Sequence, residues 1–503
     1  MINMTLEEGL EALMSLQRKK AAFEHAEGLI YYDGCTTAPA ATAENRAVTM
    51  SVLSEEIYRL ATSEETIELV EFLDANSEEL SHDEQRMVHL LLRDINEMKK
   101  IPMDEYIAFE EMLVKAEDAW IRAKDDSDFE MFRPYLEEIF EANKRFARYV
   151  EPDKDPYDYC LNKFEEGLTM EACDRFFGRL RSEIVPLLKK ISGAPQVDDS
   201  LRYGFFPKEK QEELAYRLMR TMGLDLGHVG LSTTEHPFTT LLGSHLDERI
   251  TTHYHEDDFA CSLYSIVHEG GHALYDTGSE DCLAFTVLDG GVAMSIHESQ
   301  SRFYENLIGR SRAFCGLVFP MLSEYFPEQM EGHSAEDLYL AVNKAEPSLI
   351  RTEADELTYC LHVMVRYELE KRIMHGELEV KDLPREWNRM YKEYLGVDVP
   401  DDRRGVLQDS HWAGGLVGYF PSYALGNAYG AQFLAKMKET VDVDGCIAKG
   451  DFGPVNEWNR ENIWRHGGRY TPAELLDRVL GEGFDPGYYT DYLKKKFSDI
   501  YGL

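Results

Sequence analysis

Two histidines four residues apart form the most informative chemical pattern in the sequence. His268 and His272 enclose Glu269 in the segment His-Glu-Gly-Gly-His, and residues i and i+4 of a helix lie on one face. Both imidazoles could therefore bind one metal ion, with Glu269 beside its open position as general base. Eight of the 16 histidines lie between His228 and His297, which favours a metal site in this region.

A catalytic zinc ion usually has three protein ligands and one open position. The next candidates are in His297-Glu298-Ser299-Gln300, within a predicted second helix, 292–307. Glu298 as third ligand gives a His₂Glu set, which suits peptide hydrolysis by a metal-activated water. His297 is the rival, and since neighbouring helical residues point about 100° apart, we expect only one of the two to bind the ion. The simpler alternatives are a structural histidine pair and a glutamate in a surface ion pair.

Helices must position these residues, and helical periodicity dominates the chain. Apolar residues recur at helical spacing among charged ones in eight further segments: 83–98, 112–124, 132–150, 170–191, 208–222, 335–344, 354–374 and 472–480. Ser81 and Ser127 occupy predicted N-cap positions. The sequence contains no internal repeat and no Ser/Gly/Pro linker, so we predict one large, mainly α domain over residues 1–503.

One stretch departs from helical spacing. In 244–255, polar residues such as Asp247, Arg249 and Thr251 alternate with Leu246 and Ile250. This period of two predicts an extended strand, and hence a short β-hairpin just before the helix of the metal site.

The composition excludes several classes of protein. Lys and Arg number 53 and Asp and Glu 93, so the net charge is −40, which opposes binding to nucleic acid or to an anionic membrane surface. No apolar run approaches the roughly 18 residues of a membrane span, and the first residues lack the apolar core of a secretory signal. The eight cysteines are scattered without a C-x-x-C pair, which predicts reduced thiols in a cytoplasmic protein.

Six motifs occur in a fixed order along the chain. They are His236-Pro237-Phe238, Asp247-x-Arg249-x-Thr251, His268-Glu269-x-x-His272, His297-Glu298-Ser299-Gln300, Ile350-Arg351-x-x-Ala354-Asp355 and Gly405-x-x-Gln408-Asp409-x-His411-Trp412. With these motifs the chain resembles, over essentially its whole length, the carboxypeptidase Taq family of metallocarboxypeptidases. It departs from the family at Tyr31-Tyr32-Asp33, where a Trp-Asp pair is common, at a point remote in sequence from the metal motifs.

The resemblance implies an elongated, mostly helical fold with a deep groove between two halves, similar in outline to neurolysin-like peptidases. It implies metal-dependent release of single residues from peptide C-termini with broad side-chain tolerance, and a homodimer. It assigns His268, His272 and Glu298 to one metal ion and Glu269 to catalysis, in agreement with the residues' own pattern. Zn²⁺ is the expected ion, with Co²⁺ or Mn²⁺ as alternatives.

A carboxypeptidase must also recognise a free carboxylate, which in so acidic a chain requires a local cation. Arginine can donate two parallel hydrogen bonds to a carboxylate, so we predict that Arg351, or else Arg249, binds the substrate carboxylate. The alternative for Arg351 is a salt bridge on a helix surface, and the alternative for Arg249 is to stabilise the predicted hairpin. His236 is included among the predicted substrate-binding residues.

Further catalytic residues are expected in the aromatic segment 408–423, which is predicted to be loop-like. His411 and, by analogy with related groove peptidases, Tyr423 are the predicted donors to the oxyanion, with Tyr419 and Tyr429 as alternatives for the tyrosine. Asp355 and Asp276 are both candidates to orient a ligand imidazole, and the sequence leaves the choice open.

Two other functions remain as alternatives. The same metal chemistry would serve an oligopeptidase that makes internal or dipeptide cuts. A non-enzymatic helical scaffold with a structural metal is disfavoured, because structural zinc usually has four Cys or His ligands and the sequence offers three ligands and a base.

Overall fold

Helices make up most of the structure, a computed structural model that describes residues 4–503. The α-helices are α1 (Leu6–Thr36), α2 (Ala43–Thr62), α3 (Glu64–Ala75), α4 (His82–Lys100), α5 (Met103–Asp126), α6 (Phe129–Val150), α7 (Pro156–Phe164), α8 (Met170–Ser192), α9 (Lys208–Met222), α10 (Phe259–Thr277), α11 (Met294–Arg302), α12 (Arg312–Tyr325), α13 (Pro327–Met330), α14 (Ala335–Val342), α15 (Tyr359–Met374), α16 (Leu383–Tyr394), α17 (Phe420–Met437), α18 (Val443–Ala448), α19 (Gly453–Asn462), α20 (Pro472–Leu480) and α21 (Gly487–Tyr501). A π-helical turn, Phe303–Ile308, directly follows α11. The predicted mainly α fold class is confirmed.

Several helix ends agree with the prediction. The predicted segments 208–222 and 472–480 coincide with α9 and α20. Ser81 caps α4, and its hydroxyl and the Glu84 carboxylate accept each other's backbone N–H. The N-cap prediction for Ser127 is wrong: this residue ends α5 in the left-handed conformation, with φ of 55°, and the Asp128 carboxylate caps α6 instead.

The predicted segment 112–124 is shorter than α5, whereas two other predicted helices are longer than the helices in the structure. The segment predicted to begin at Ala354 becomes helical only at Tyr359, because the Asp355 carboxylate accepts the N–H groups of Leu357 and Thr358 in a turn before α15. The segment predicted to run to Leu307 is α-helical only as far as Arg302, where the π-helical turn begins.

A three-stranded sheet precedes α10. Its strands are β1 (Val229–Thr233), β2 (Thr239–Leu241) and β3 (Glu248–Thr252), in the order β1-β3-β2. The predicted hairpin corresponds to the antiparallel pair β2–β3, while β1 pairs with β3 in parallel and was not predicted. The predicted strand is too long at its start, because the Asp247 N–H closes a turn on the Ser244 carbonyl at 3.0 Å.

Buried apolar side chains form two clusters. The larger extends from Ile101 to Tyr501 and includes the helices around the histidine motif. The smaller joins α1, α3 and α4 to Leu283 and Leu288, which lie in the connection between α10 and α11. The N-terminal helices are therefore attached beside the segment that leads into the predicted metal site. None of the described helices combines the length and hydropathy that a membrane span requires.

Candidate active site

The two histidines of α10 lie next to Glu298 of α11. The Oε2 atom of Glu298 is 4.0 Å from Nε2 of His268 and 3.8 Å from Nε2 of His272. One potential ligand atom from each residue lies within 4.8 Å of the other two. Around a tetrahedral zinc ion, ligand atoms at about 2.0 Å are separated by about 3.3 Å, so small side-chain rotations would let all three reach one ion. Two imidazoles and one carboxylate fit a catalytic zinc centre with an open position.

Glycines allow the helices that carry these residues to approach closely. A Cβ atom on Gly271 of α10 would lie 2.8 Å from the carbonyl oxygen of Gln300 in α11. A Cβ atom on Gly426 of α17 would lie 2.6 Å from Cβ of Glu298 itself. Since both distances are shorter than a normal contact, a side chain at Gly426 would displace Glu298, and one at Gly271 would displace the backbone of α11 that carries it. Glycine inside a helix destabilises it by about 0.5–1 kcal/mol relative to alanine, and the close helix packing explains why it is present here.

Glu305, on the π-helical turn, orients the first histidine. Its Oε2 atom is 2.9 Å from Nδ1 of His268, and because an ionised carboxylate can only accept, Nδ1 carries the proton. The lone pair of Nε2 then faces the metal site. Burial opposes the ionisation of Glu305, but Arg302 and His268 outweigh it and hold the pKa of this carboxyl well below its usual range.

A relay of two residues orients the second histidine. Nδ1 of His272 is 3.1 Å from Nδ1 of His297, whose Nε2 is 3.0 Å from Oδ1 of Asp276. A proton on Nδ1 of His272 can bond to His297, which donates in turn to Asp276, and Nε2 of His272 stays free for a metal. His297 is thus placed to orient His272, whereas Glu298 is placed as the candidate third ligand. Of the two predicted orienting carboxylates, Asp276 acts through His297, whereas Asp355 stabilises the turn before α15.

Glu269 is buried beside the two histidines. The Thr239 hydroxyl, on β2, donates to Oε2 of Glu269 at 2.6 Å. Burial raises the pKa of Glu269, although His268 and Thr239 partly oppose this change. A buried carboxylate with one oxygen fixed and the other free has the geometry required of a general base.

Arg351 is only 5% exposed, and its guanidinium is already paired. Nε and Nη2 donate to Oδ1 of Asp409 at 3.1 and 2.9 Å, and Nη1 donates to the Tyr359 hydroxyl at 3.1 Å. Arg366 donates to the other oxygen of Asp409 at 2.7 Å. Two arginines therefore share one carboxylate, which leaves one positive charge in excess in a chain of net charge −40.

His411 and Tyr423 contact each other from different structural elements. His411 lies in a loop, but Tyr423 lies in the first turn of α17, so the loop-like expectation is wrong for this end of the segment. Pro421 fits there because its fixed φ suits a first helical turn. Nε2 of His411 is 3.1 Å from the Tyr423 hydroxyl. Burial lowers the pKa of His411 to about 4, so the ring is neutral near pH 7.

The position of Tyr423 on α17 brings it to the ligand cluster. It precedes Gly426 by three residues and so shares its helix face, which packs against Glu298. The guanidinium of Arg351 lies 4.8 Å from the centre of the Tyr423 ring. Burial raises the pKa of Tyr423, so its hydroxyl keeps its proton and can donate.

Arg249 and His236 lie on and near the small sheet. Nη2 of Arg249 is 2.8 Å from Oδ1 of Asp247, and the arginine side chain is 29% exposed. His236 is exposed in the loop before β2. The Thr251 hydroxyl accepts the Phe238 N–H at 2.8 Å, which links the second motif to the first.

One match to a family model identifies the family of this protein. The family model for the carboxypeptidase Taq (M32) metallopeptidases matches residues 12–497. The chain belongs to this family.

Individual M32 relatives match along almost their whole length. Carboxypeptidase 1 of Bacillus subtilis (strain 168) is 41% identical over 490 residues, 97% of this chain and 98% of that protein. Thermostable carboxypeptidase 1 of Pyrococcus furiosus is 36% identical over 494 residues, 97% of this chain and 98% of that protein. The crystal structure of the M32 carboxypeptidase from Deinococcus radiodurans R1 superposes with a TM-score of 0.95 at 37% identity, covering 98% of this chain and 100% of that one. The family resemblance is thus confirmed, and the protein is a metallocarboxypeptidase that acts on peptides.

The departure from the M32 pattern in α1 is distant from the metal motifs only in sequence. The rings of Tyr31 and Tyr32 lie 6.0 and 6.2 Å from the ring of Phe238 in the first motif. The next residue, Thr239, donates to Glu269. Helix α1 therefore packs on the loop that ends at Thr239, the residue that donates to the candidate base Glu269.

Three residues at the M32 site were not predicted from the sequence. Thr239 directly follows the first motif, and Arg302 and Glu305 follow Glu298 by four and seven residues. Residues at this spacing share a helix face, so the pattern contained a signal for the last two. No comparable local signal exists for Thr239, because its contact with Glu269 joins the sheet to α10.

Proposed function

We propose that this metallocarboxypeptidase releases single C-terminal amino acids from peptides with broad side-chain tolerance. One metal ion would be held by His268, His272 and Glu298, with Glu269 as general base. The observation that carries the proposal is the convergence of three potential ligand atoms within 4.8 Å of one another, next to a buried carboxylate. Zn²⁺ is the proposed ion, because a His₂Glu set suits it, while Co²⁺ or Mn²⁺ are the alternatives.

Glu269 would transfer the protons of the reaction. When bound, a zinc ion lowers the pKa of a coordinated water toward about 7 and polarises the scissile carbonyl. The hydrogen bond from the Thr239 hydroxyl fixes Oε2 of Glu269 and leaves Oε1 to accept the proton of the attacking water. The same carboxyl group would then deliver this proton to the leaving amine.

Tyr423 and His411 are the proposed donors to the oxyanion. Nδ1 of His411 is buried and has no hydrogen-bond partner among residues 4–503, which favours the tautomer with its proton on Nε2. Nε2–H would then donate to the Tyr423 oxygen and leave the phenol O–H free to donate to the tetrahedral oxyanion.

The substrate carboxylate would meet the positive charge around Arg351. This guanidinium already bonds Asp409, but the second arginine on that carboxylate leaves one positive charge uncompensated. Arg249 is the second proposed anchor, because a single bond to Asp247 leaves other guanidinium donors free. His236, exposed in the loop before β2, is proposed as a further substrate contact.

The remaining proposals concern the protein as a whole. We expect a single domain over residues 1–503 with a groove between two halves, and a homodimer, as the family resemblance implies. A cytoplasmic location is proposed because all eight cysteines are free thiols, as is usual in a reducing compartment. The net charge of −40 supports the absence of nucleic-acid and membrane partners.

Removal of the metal should abolish peptide hydrolysis. We expect EDTA, followed by its removal, to eliminate release of the last residue from a peptide with a blocked N-terminus, and one equivalent of Zn²⁺ per chain to restore it. His272→Ala should show neither activity nor zinc binding at this stoichiometry, whereas His333→Ala, on an exposed residue in the loop before α14, should behave as wild type. The measurements are product release and zinc content by atomic emission. Full activity of the His272→Ala protein would contradict the ligand assignment.

A further inference from the structure

Arg302 ends α11 and lies between two acidic side chains of the candidate metal centre. Its Nε donates to Oε1 of Glu298 at 2.7 Å, and its Nη1 donates to Oε2 of Glu305 at 2.8 Å. The guanidinium carbon lies 4.6 Å from the centre of the Tyr359 ring, over its face. With a side chain only 18% exposed, Arg302 is a cation held on three sides.

The two oxygens of Glu298 have different neighbours. Oε1 accepts from Arg302, whereas Oε2 is the oxygen that approaches Nε2 of His268 and of His272. A carboxylate can bind a cation through one oxygen or both. Because Arg302 occupies Oε1, Glu298 is held ready to bind through Oε2 alone, which preserves the open position that a catalytic zinc ion needs.

The second partner connects Arg302 to the first histidine. Oε2 of Glu305 accepts from Arg302 and also lies 2.9 Å from Nδ1 of His268. Arg302 follows Glu298 by four residues, about one helical turn, and Glu305 follows Arg302 by three residues, within the π-helical turn. A single guanidinium therefore contacts both the third ligand and the carboxylate that orients the first.

We infer that Arg302 is a positioning residue of the metal centre. It keeps Glu298 bound through Oε2 alone, and it holds Glu305 against His268. This role rests on the proposed assignment of His268, His272 and Glu298 as metal ligands.

Arg310 provides a matched comparison. It is also a partly buried arginine, it donates to the other oxygen of Glu305 at 3.1 Å, and it packs 4.2 Å from the Tyr264 ring. Its remaining hydrogen bonds go to Asn306 and to the Val342 carbonyl, not to Glu298. An effect that depends only on neutralising Glu305 should therefore be the same for both arginines, whereas positioning of Glu298 belongs to Arg302.

Zinc affinity measured on the metal-free protein, by competition with a chromophoric chelator, tests this role without an activity assay. Arg302→Met should weaken zinc binding by about 10- to 100-fold, the usual effect of removing a residue that orients metal ligands. Arg302→Lys keeps the charge but lacks the planar fork that bridges two carboxylates, so we expect an intermediate loss. Arg310→Met should stay close to wild type. The lysine variant keeps the test valid should the methionine variant not fold.

The visible spectrum of the Co²⁺-loaded protein provides a second readout that a merely structural role would not change. Without Arg302, Oε1 of Glu298 should be free to bind Co²⁺ together with Oε2, which would raise the coordination number of the ion. The visible absorption bands of both Arg302 variants should therefore weaken. Those of Arg310→Met should keep their wild-type intensity. Wild-type affinity and spectrum in the Arg302 variants would overturn the inference, and so would an equal loss in Arg310→Met. The proposed function fails separately, if His272→Ala binds zinc as tightly as the wild type.

Discussion

Glu269→Gln should lower kcat for release of the C-terminal residue by about 10²- to 10⁴-fold, the usual contribution of a general acid–base residue. Glutamine has nearly the shape of glutamate and can still accept from the Thr239 hydroxyl, but its amide cannot take a proton from water. Since Glu269 is not among the proposed ligands, one zinc ion per chain should remain bound. Kinetics with a peptide blocked at its N-terminus, together with zinc analysis of the same sample, measures both quantities.

The matched control for this variant is Glu235→Gln. Glu235 lies in the same region, but its side chain is 84% exposed and lies 4.0 Å from Nδ1 of His253. The control should keep wild-type kcat, KM and zinc content. A Glu269→Gln protein with full zinc content and wild-type kcat would show that another group activates the water.

Amidation of the substrate C-terminus should lower kcat/KM by about 10- to 100-fold. Hydrogen bonds to a charged group contribute about 1.5–3 kcal/mol, and each 1.4 kcal/mol is a factor of ten. The physical cause is the single excess positive charge where Arg351 and Arg366 share Asp409. The measurement compares two peptides that differ only in the C-terminal group, at the same ionic strength.

Two substitutions identify which arginine binds the C-terminal carboxylate of the substrate. Arg351→Met should bring the ratio of kcat/KM for the free and amidated peptides close to one, while Arg249→Met should leave most of the discrimination intact. The opposite result would assign the anchor to Arg249, which forms an ion pair with Asp247. Equal cleavage of both peptides by the wild-type protein is the outcome that the carboxylate-anchor proposal excludes.

Features that depend on neighbours in the sequence could be predicted well. Helix α9 follows from apolar spacing and a glycine that follows its end, and the N-terminus of α4 from a serine with a glutamate three residues later. The proximity of the two candidate ligand histidines could be predicted for the same reason, because His268 and His272 lie one helical turn apart. Glu298 could be added as a candidate ligand because the sequence also predicts a second helix around it.

Features that depend on distant contacts could not be predicted. Strand β1 joins the sheet by pairing with β3 in parallel, which no local pattern encodes. The pairing of Arg351 with Asp409 spans 58 residues, and it changes a free cation into part of a buried cluster. Gly426 is similar, because its contact with Glu298 joins two helices more than 100 residues apart in sequence. These contacts decide how the predicted residues are held.

The series of products formed from one peptide distinguishes a metal-dependent carboxypeptidase from the alternatives. The zinc-loaded protein would be incubated with an N-acetylated peptide of different residues, and samples would be analysed by mass spectrometry over time. We predict products that shorten by one residue at a time from the C-terminus, and none in the presence of EDTA. Internal or dipeptide cuts, or the same single-residue series after the metal is removed, would contradict a metal-dependent carboxypeptidase at this site.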